Sequence, residues 1–137
     1  TIGISCTPDS DLARAADIAI TPLTGPEVVA GSTRMKAGTA QKLVLNMLTT
    51  TAFIRLGYVY RNLMVNVQAK NAKLADRARR IVAEAAGVSH DRAGQLLTEA
   101  GNSVPAAILM ANAGVGREEA ERRLASAGGS IAKALHG

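Results

Sequence analysis

Four glycines, Gly87, Gly101, Gly114 and Gly128, fall 14, 13 and 14 residues apart along the second half of the chain. Each stands where a left-handed residue closes a helix, so the spacing predicts a succession of helices about ten residues long. Helix starts fit between them. Ser89 is followed by Asp91, and Gly116 by Glu118 and Glu119, giving acidic first turns that suit the helix dipole. Ala93, Leu96, Leu97 and Ala100 repeat with 3.6-residue spacing and predict one buried stripe. The pattern is purely helical from about Asn71. It predicts a connecting helix over residues 71–87 and a small helical bundle over residues 88–137. Hydrophobic residues make up 47% of the chain but aromatics only 2%. The core is therefore to be built from Ala, Leu, Ile, Val and Met in closely packed helices.

The first half reads differently. Thr1 to Cys6 is a short apolar strand, followed by the turn residues Pro8, Asp9 and Ser10. Ser10 is placed to cap a helical stretch over Asp11 to Ala16, and Asp17 to Thr21 is a second strand closed by Pro22. Strand, short helix, strand implies a parallel pair. Such a pair cannot bury both faces alone, and no further convincing strand follows residue 22. The expectation is an α/β domain whose first half lies upstream of Thr1. A long helix then runs to about Leu56 and stops at Gly57, with apolar residues on nearly every face. That distribution predicts burial on most sides, in a core or a subunit interface. Residues 58–69 carry some β character at Tyr58, Val59, Tyr60, Met64 and Val65, but helix or loop is the favoured reading.

Several function classes drop out. The net charge of +5 fits an anionic partner. The basic residues are scattered, however, and only Phe53, Tyr58 and Tyr60 are available to stack on bases, so no nucleic acid is expected. The longest apolar run, Leu43 to Ile54, is polar-interrupted and too short to cross a bilayer; no membrane partner is expected. One cysteine, Cys6, excludes an internal disulfide and suits a reducing, cytoplasmic setting. Cys6 reads as a small filler rather than a nucleophile. His90 and His136 read as solvated, with no ligand spacing to Cys6, so neither metal nor cofactor is expected.

The densest polar segment is Gly25 to Lys42, GPEVVAGSTRMKAGTAQK. Its glycines let the backbone approach a ligand closely, Ser32, Thr33 and Thr39 offer hydroxyls, and Arg34 and Lys36 supply positive charge. All precede the long helix, whose first amides and dipole favour an anion. The helix starts at Ser32 or at Thr39, and either start makes a phosphate or sugar-phosphate cradle. Plain capping by Ser32 or Thr33 with solvated Arg34 and Lys36 stands beside that reading. It is not a Walker loop.

The same string, extended as GPEVVAGSTRMKAGTAQKLVLNML, resembles the signature of the N-acetylmuramic acid 6-phosphate etherase family, shared in related form with the glucokinase regulatory protein. GISCTPDS at Gly3 to Ser10, ADIAITP at Ala16 to Pro22 and NLMVNVQAKNAKL at Asn62 to Leu74 resemble it as well. One departure is Asn66, where the family usually has Asp. The resemblance implies a sugar isomerase (SIS) domain, a doubly wound parallel sheet whose C-terminal part is residues 1–70. It implies a C-terminal helical appendage like a ubiquitin-associated bundle, and a homodimer with sites near the subunit interface.

The implied reaction cleaves the D-lactyl ether of N-acetylmuramic acid 6-phosphate, giving N-acetylglucosamine 6-phosphate and D-lactate, in cell-wall amino-sugar recycling. The family's acid and base glutamates lie upstream of Thr1, so no catalytic residue is expected within this chain. Glu27, Ser32, Thr33, Arg34, Lys36 and Thr39 are then the candidate substrate-binding residues. Asn62, Asn66 and Asn71 either face the site or cap helices. A non-catalytic sugar-phosphate sensor, keeping the cradle without the glutamates, is the alternative.

Overall fold

A computed structural model describes residues Thr1 to His136, which form two compact units, Thr1–Thr51 and Ala52 onward. In the first unit, β1 (Ile2–Ile4) pairs in parallel with β2 (Ile18–Ile20), with Ile2 opposite Ile18 and Ile4 opposite Ile20. The crossover holds one short helix, α1 (Asp11–Ala15), capped as its sequence predicts: the Ser10 hydroxyl accepts from the Ala13 amide at 3.2 Å. Gly3 sets how closely α1 lies on the sheet. A Cβ there would sit 2.9 Å from the Ala16 Cβ and 3.1 Å from the Leu12 carbonyl oxygen. Helix α2 (Lys36–Arg55) follows a polar, glycine-punctuated stretch. The coarse expectation of an α/β arrangement dominated by helix holds for the described residues.

One expectation changes and one narrows. Helix α2 begins at Lys36, neither at Ser32 nor at Thr39, because its first amides are capped by a side chain distant in sequence, described below. Of the two covers expected for α2, a core or a subunit interface, the described residues of this chain by themselves do not supply the core. Only Val44 is buried, whereas Leu43, Leu45, Met47, Phe53 and Ile54 are 46–61% exposed. A helix apolar all round needs cover on several faces, and the described residues supply it to one.

The second unit takes in the last turn of α2 and then a hairpin, where the sequence favours helix or loop. β3 (Val59–Tyr60) pairs antiparallel with β4 (Leu63–Met64) across a two-residue turn, Arg61-Asn62. Arg61 takes φ 55°, a left-handed position that hairpins normally give to glycine or asparagine. Its guanidinium lies 5.2 Å from the centre of the Tyr60 ring, a cation–π contact that helps hold the turn. The Val65 amide extends the pairing to the Tyr58 carbonyl at 2.8 Å.

Five helices complete this unit: α3 (Ala72–Ala86), α4 (His90–Glu99), α5 (Val104–Ala113), α6 (Arg117–Ser126) and α7 (Ile131–His136). The glycine spacing explains their lengths. Gly87, Gly101, Gly114 and Gly128 all adopt left-handed φ between 61° and 67° just after a helix. Starts are fixed by side chains: Asn71, Ser89 and Ser103 each accept an amide of the following first turn. Gly116 opens α6 without a side-chain cap, with Glu118 and Glu119 in the first turn. The predicted stripe Ala93, Leu96, Leu97 and Ala100 is buried. Helix α5 is the pivot, packing on α3, α4, α6 and α7, and its Ile108 and Leu109 are fully buried. Burying each such side chain stabilises the fold by about 1.5–3 kcal/mol. Gly57 approaches the Gly129–Ser130 backbone so closely that no side chain fits between them.

Candidate functional site

The polar stretch before α2 lies at the carboxyl end of the parallel pair. The Cys6 thiol, just past β1, lies 3.8 Å from the Ala37 carbonyl oxygen, and the Gln41 amide donates to the Ile4 carbonyl at 3.4 Å. The first turns of α2 are thereby pinned beside the exit of β1. That edge is where open parallel sheets place their ligands.

Within the stretch, one carboxylate organises the rest. Glu27 accepts the Lys36 amide on Oε2 at 3.0 Å and the Ala37 amide on Oε1 at 3.1 Å. The Lys36 ammonium reaches back to the Pro26 carbonyl at 2.9 Å. These three bonds tie the two ends of residues 28–35 together. The Lys36 and Ala37 amides, with the Lys36 charge nearby, hold the Glu27 carboxyl below its ordinary range. The anion that the start of α2 attracts is therefore the chain's own Glu27.

In and beside the tied segment the backbone turns on itself. The Ser32 amide donates to the Val29 carbonyl at 3.1 Å and the Gly38 amide to the Thr33 carbonyl at 2.9 Å, while the Thr39 amide donates to the Met35 carbonyl at 3.0 Å. Gly25 at φ 66° and Gly31 at φ 79° supply left-handed positions that other residues adopt with strain. Val28 and Val29 point outward, 86% and 64% exposed.

The six candidate binding residues come together on one loop and helix start, in two groups. Glu27 and Lys36 are engaged with the backbone. Thr33, Arg34 and Thr39 are exposed and Ser32 is half-buried, and Arg34 enters none of the ion pairs found among the described residues. Pro26, Ala37 and Gln41 also take part, and residue type alone does not single them out. Only Gln41 carries a signal, as a polar side chain one turn into the helix.

Other candidates fall into place by themselves. Asn71 is the cap of α3, accepting the Leu74 amide at 2.9 Å. Asn62 belongs to the hairpin turn, and Asn66 lines a cavity of about 310 Å³ in the second unit with Gln68, Lys70 and Arg77. His90 is exposed at the start of α4, its ring 3.3 Å from Asp76. Among the described residues no group of three or more His, Cys, Asp or Glu side chains is placed to hold a metal ion. Among them, too, no helix is long and apolar enough to cross a membrane.

No family model matches the chain. Individual relatives match nearly all of it. A protein named N-acetylmuramic acid 6-phosphate etherase from Rhizobium rhizogenes (strain K84) is 53% identical over 135 residues, 98% of this chain and 44% of its own length. One of the same name from Serratia proteamaculans is also 53% identical over 135 residues, 46% of its length. Another from Yersinia pestis (strain Pestoides F) reaches 54% identity over the same number of residues. The chain thus spans less than half the length of the curated relatives it matches. The resemblance read from Gly25 to Lys42 extends along essentially the whole chain.

Proposed function

We propose that this chain is the C-terminal part of an N-acetylmuramic acid 6-phosphate etherase, and that its loop before α2 holds the phosphorylated amino sugar. The observation that carries the proposal is 53% identity to proteins of that name across 98% of the chain. Geometry supports it. Ser32, Thr33 and Arg34 sit on a loop tied at both ends, at the ligand edge of a parallel pair, with the Arg34 charge free of carboxylates among the described residues. Guanidinium and hydroxyl groups so placed match the oxygens of a phosphate monoester.

In this reading residues 1–70 form the C-terminal part of a SIS domain, residues 71–87 a connecting helix and residues 88–137 the appended bundle. The complete enzyme works in the cytoplasm as a homodimer; the exposed apolar faces of α2 support an arrangement in which further protein covers them. The reaction is an elimination followed by hydration. A base takes the C2 proton of the open-chain sugar, D-lactate leaves from C3 with its oxygen protonated, and water adds to the resulting double bond. The carboxylic acid and base belong to the remainder of the etherase. The residues of this chain bind and orient the phosphate end, which fixes C2 and C3 against those groups.

The test is D-lactate release from N-acetylmuramic acid 6-phosphate by the complete protein that carries this segment. Turnover is expected, while the 137-residue chain alone should release none. Arg34→Ala should raise KM by about tenfold, the equivalent of about 1.4 kcal/mol. Sugar-phosphate binding without lactate release would replace the etherase by the regulatory reading.

A further inference from the structure

We infer that Glu27 is a positioning residue: it closes the substrate-holding loop by filling the anion position at the start of α2, so that the phosphate is met by Ser32, Thr33 and Arg34 instead of by the helix amides. This rests on the reading that the loop holds a sugar phosphate. Glu27 is half-buried and spends both carboxylate oxygens on backbone amides, one on Lys36 and one on Ala37. Each oxygen so used has spent one of its two lone-pair directions on the backbone, and the two bonds together fix the carboxylate against the helix start. The Lys36 ammonium is likewise committed, to the Pro26 carbonyl at 2.9 Å. The two side chains cross between the same two backbone segments in opposite directions. Neighbouring residues at one end, Pro26 and Glu27, are bound to neighbouring residues at the other, Lys36 and Ala37. Residues 28–35 are thereby closed into a ring.

The chemical consequence is a division of labour. Left unfilled, the first amides of α2 would draw the substrate phosphate toward the helix axis. With Glu27 in place, that position carries a negative charge and rejects a second anion. The phosphate is displaced onto the loop, toward Arg34. Ordering the loop before substrate arrives also removes a cost from binding, since each loop residue immobilised on binding would otherwise be ordered at the expense of affinity.

Glu27→Gln tests this in the complete protein. The glutamine carbonyl still accepts one amide, but its NH2 group turns a donor toward the other. Three quantities are read side by side for wild type and variant: KM and kcat for lactate release, hydrogen exchange at the Lys36 and Ala37 amides without substrate, and the melting temperature as a folding control. Faster exchange at the amide that loses its acceptor and a KM raised about tenfold, with kcat falling less than KM rises, is the expected result. Lys36→Met, which keeps the methylene stem and deletes the ammonium charge with its bond to Pro26, should shift both readouts in the same direction by less. If KM rises while exchange is unchanged, Glu27 touches the substrate directly and the inference fails. If exchange accelerates while KM stays the same, the clamp is structural only and the inference also fails. Absence of turnover in the wild type would instead strike the etherase reading itself.

Discussion

Replacing Gly57 by alanine tests whether the close backbone approach in the second unit governs its stability. A Cβ at Gly57 would lie 2.6 Å from the Gly129 carbonyl carbon, 2.7 Å from its oxygen and 2.8 Å from the Ser130 nitrogen. All three are backbone atoms, so no rotamer change relieves the contact. Two costs add. The left-handed φ of 78° is worth about 1–2 kcal/mol against an L side chain. Forcing an extra carbon into a filled space costs about 1–3 kcal/mol more. Gly87 separates the two. It has φ 67°, and a methyl group there would meet nothing within 4 Å, so Gly87→Ala incurs the first cost alone. A domain of this size loses about 4–8 °C of melting temperature per kcal/mol. Gly57→Ala should therefore melt on the order of 10 °C below Gly87→Ala. Thermal unfolding followed by far-UV circular dichroism, with both variants and wild type in parallel, reads the difference. Equal melting temperatures for the two variants would refute the contact argument.

Removing the cap hydroxyl in Ser89→Ala should destabilise the bundle by about 1 kcal/mol, read as a lowered urea midpoint with an unchanged slope. Leu109→Ala, at a fully buried position on α5, should cost about 2–5 kcal/mol by the same assay. Acid should weaken the unit through Glu119. Arg123, and with it Arg122, hold that carboxyl below its ordinary 4.5, so its contribution is complete above that pH and is lost as pH falls through the lowered value. Urea midpoints measured across that range should drop less steeply in Glu119→Gln than in wild type.

Much of the helical unit was legible because its signals are local. A cap serine, an acidic first turn and a left-handed glycine act on residues within one turn of themselves. Ser89, Asn71, Gly87 and Gly114 therefore announce the structure they make. The parallel pair was legible for the same reason, from Ser10 and the two flanking apolar runs. The hairpin at 59–64 was hidden because Arg61 occupies a turn position that ordinarily advertises itself as glycine or asparagine, and the compensating contact with Tyr60 is a matter of folded geometry. The start of α2 was hidden too. Its cap is Glu27, nine residues before the amide it accepts, whereas sequence rules look for a capping side chain within three. The six candidate residues stand out by type and clustering. Their division into a clamp and an open set depends on which oxygens and amides meet, and side-chain type does not encode that.

The position of α5 carries a consequence for how the unit forms. Its partners are the two helices before it and the two after it, so its contacts stay within this run of successive helices and none requires closing the whole chain. Chains rich in such contacts close small loops first and cross low entropic barriers, which places helical units of this kind among the fast folders. An ordered α5 with Ile108 and Leu109 docked offers a surface on which either flanking pair can assemble. Truncations in α5 should then chiefly slow folding. Changes at Gly57 and Gly129, whose meeting joins distant parts of the unit, should chiefly speed unfolding.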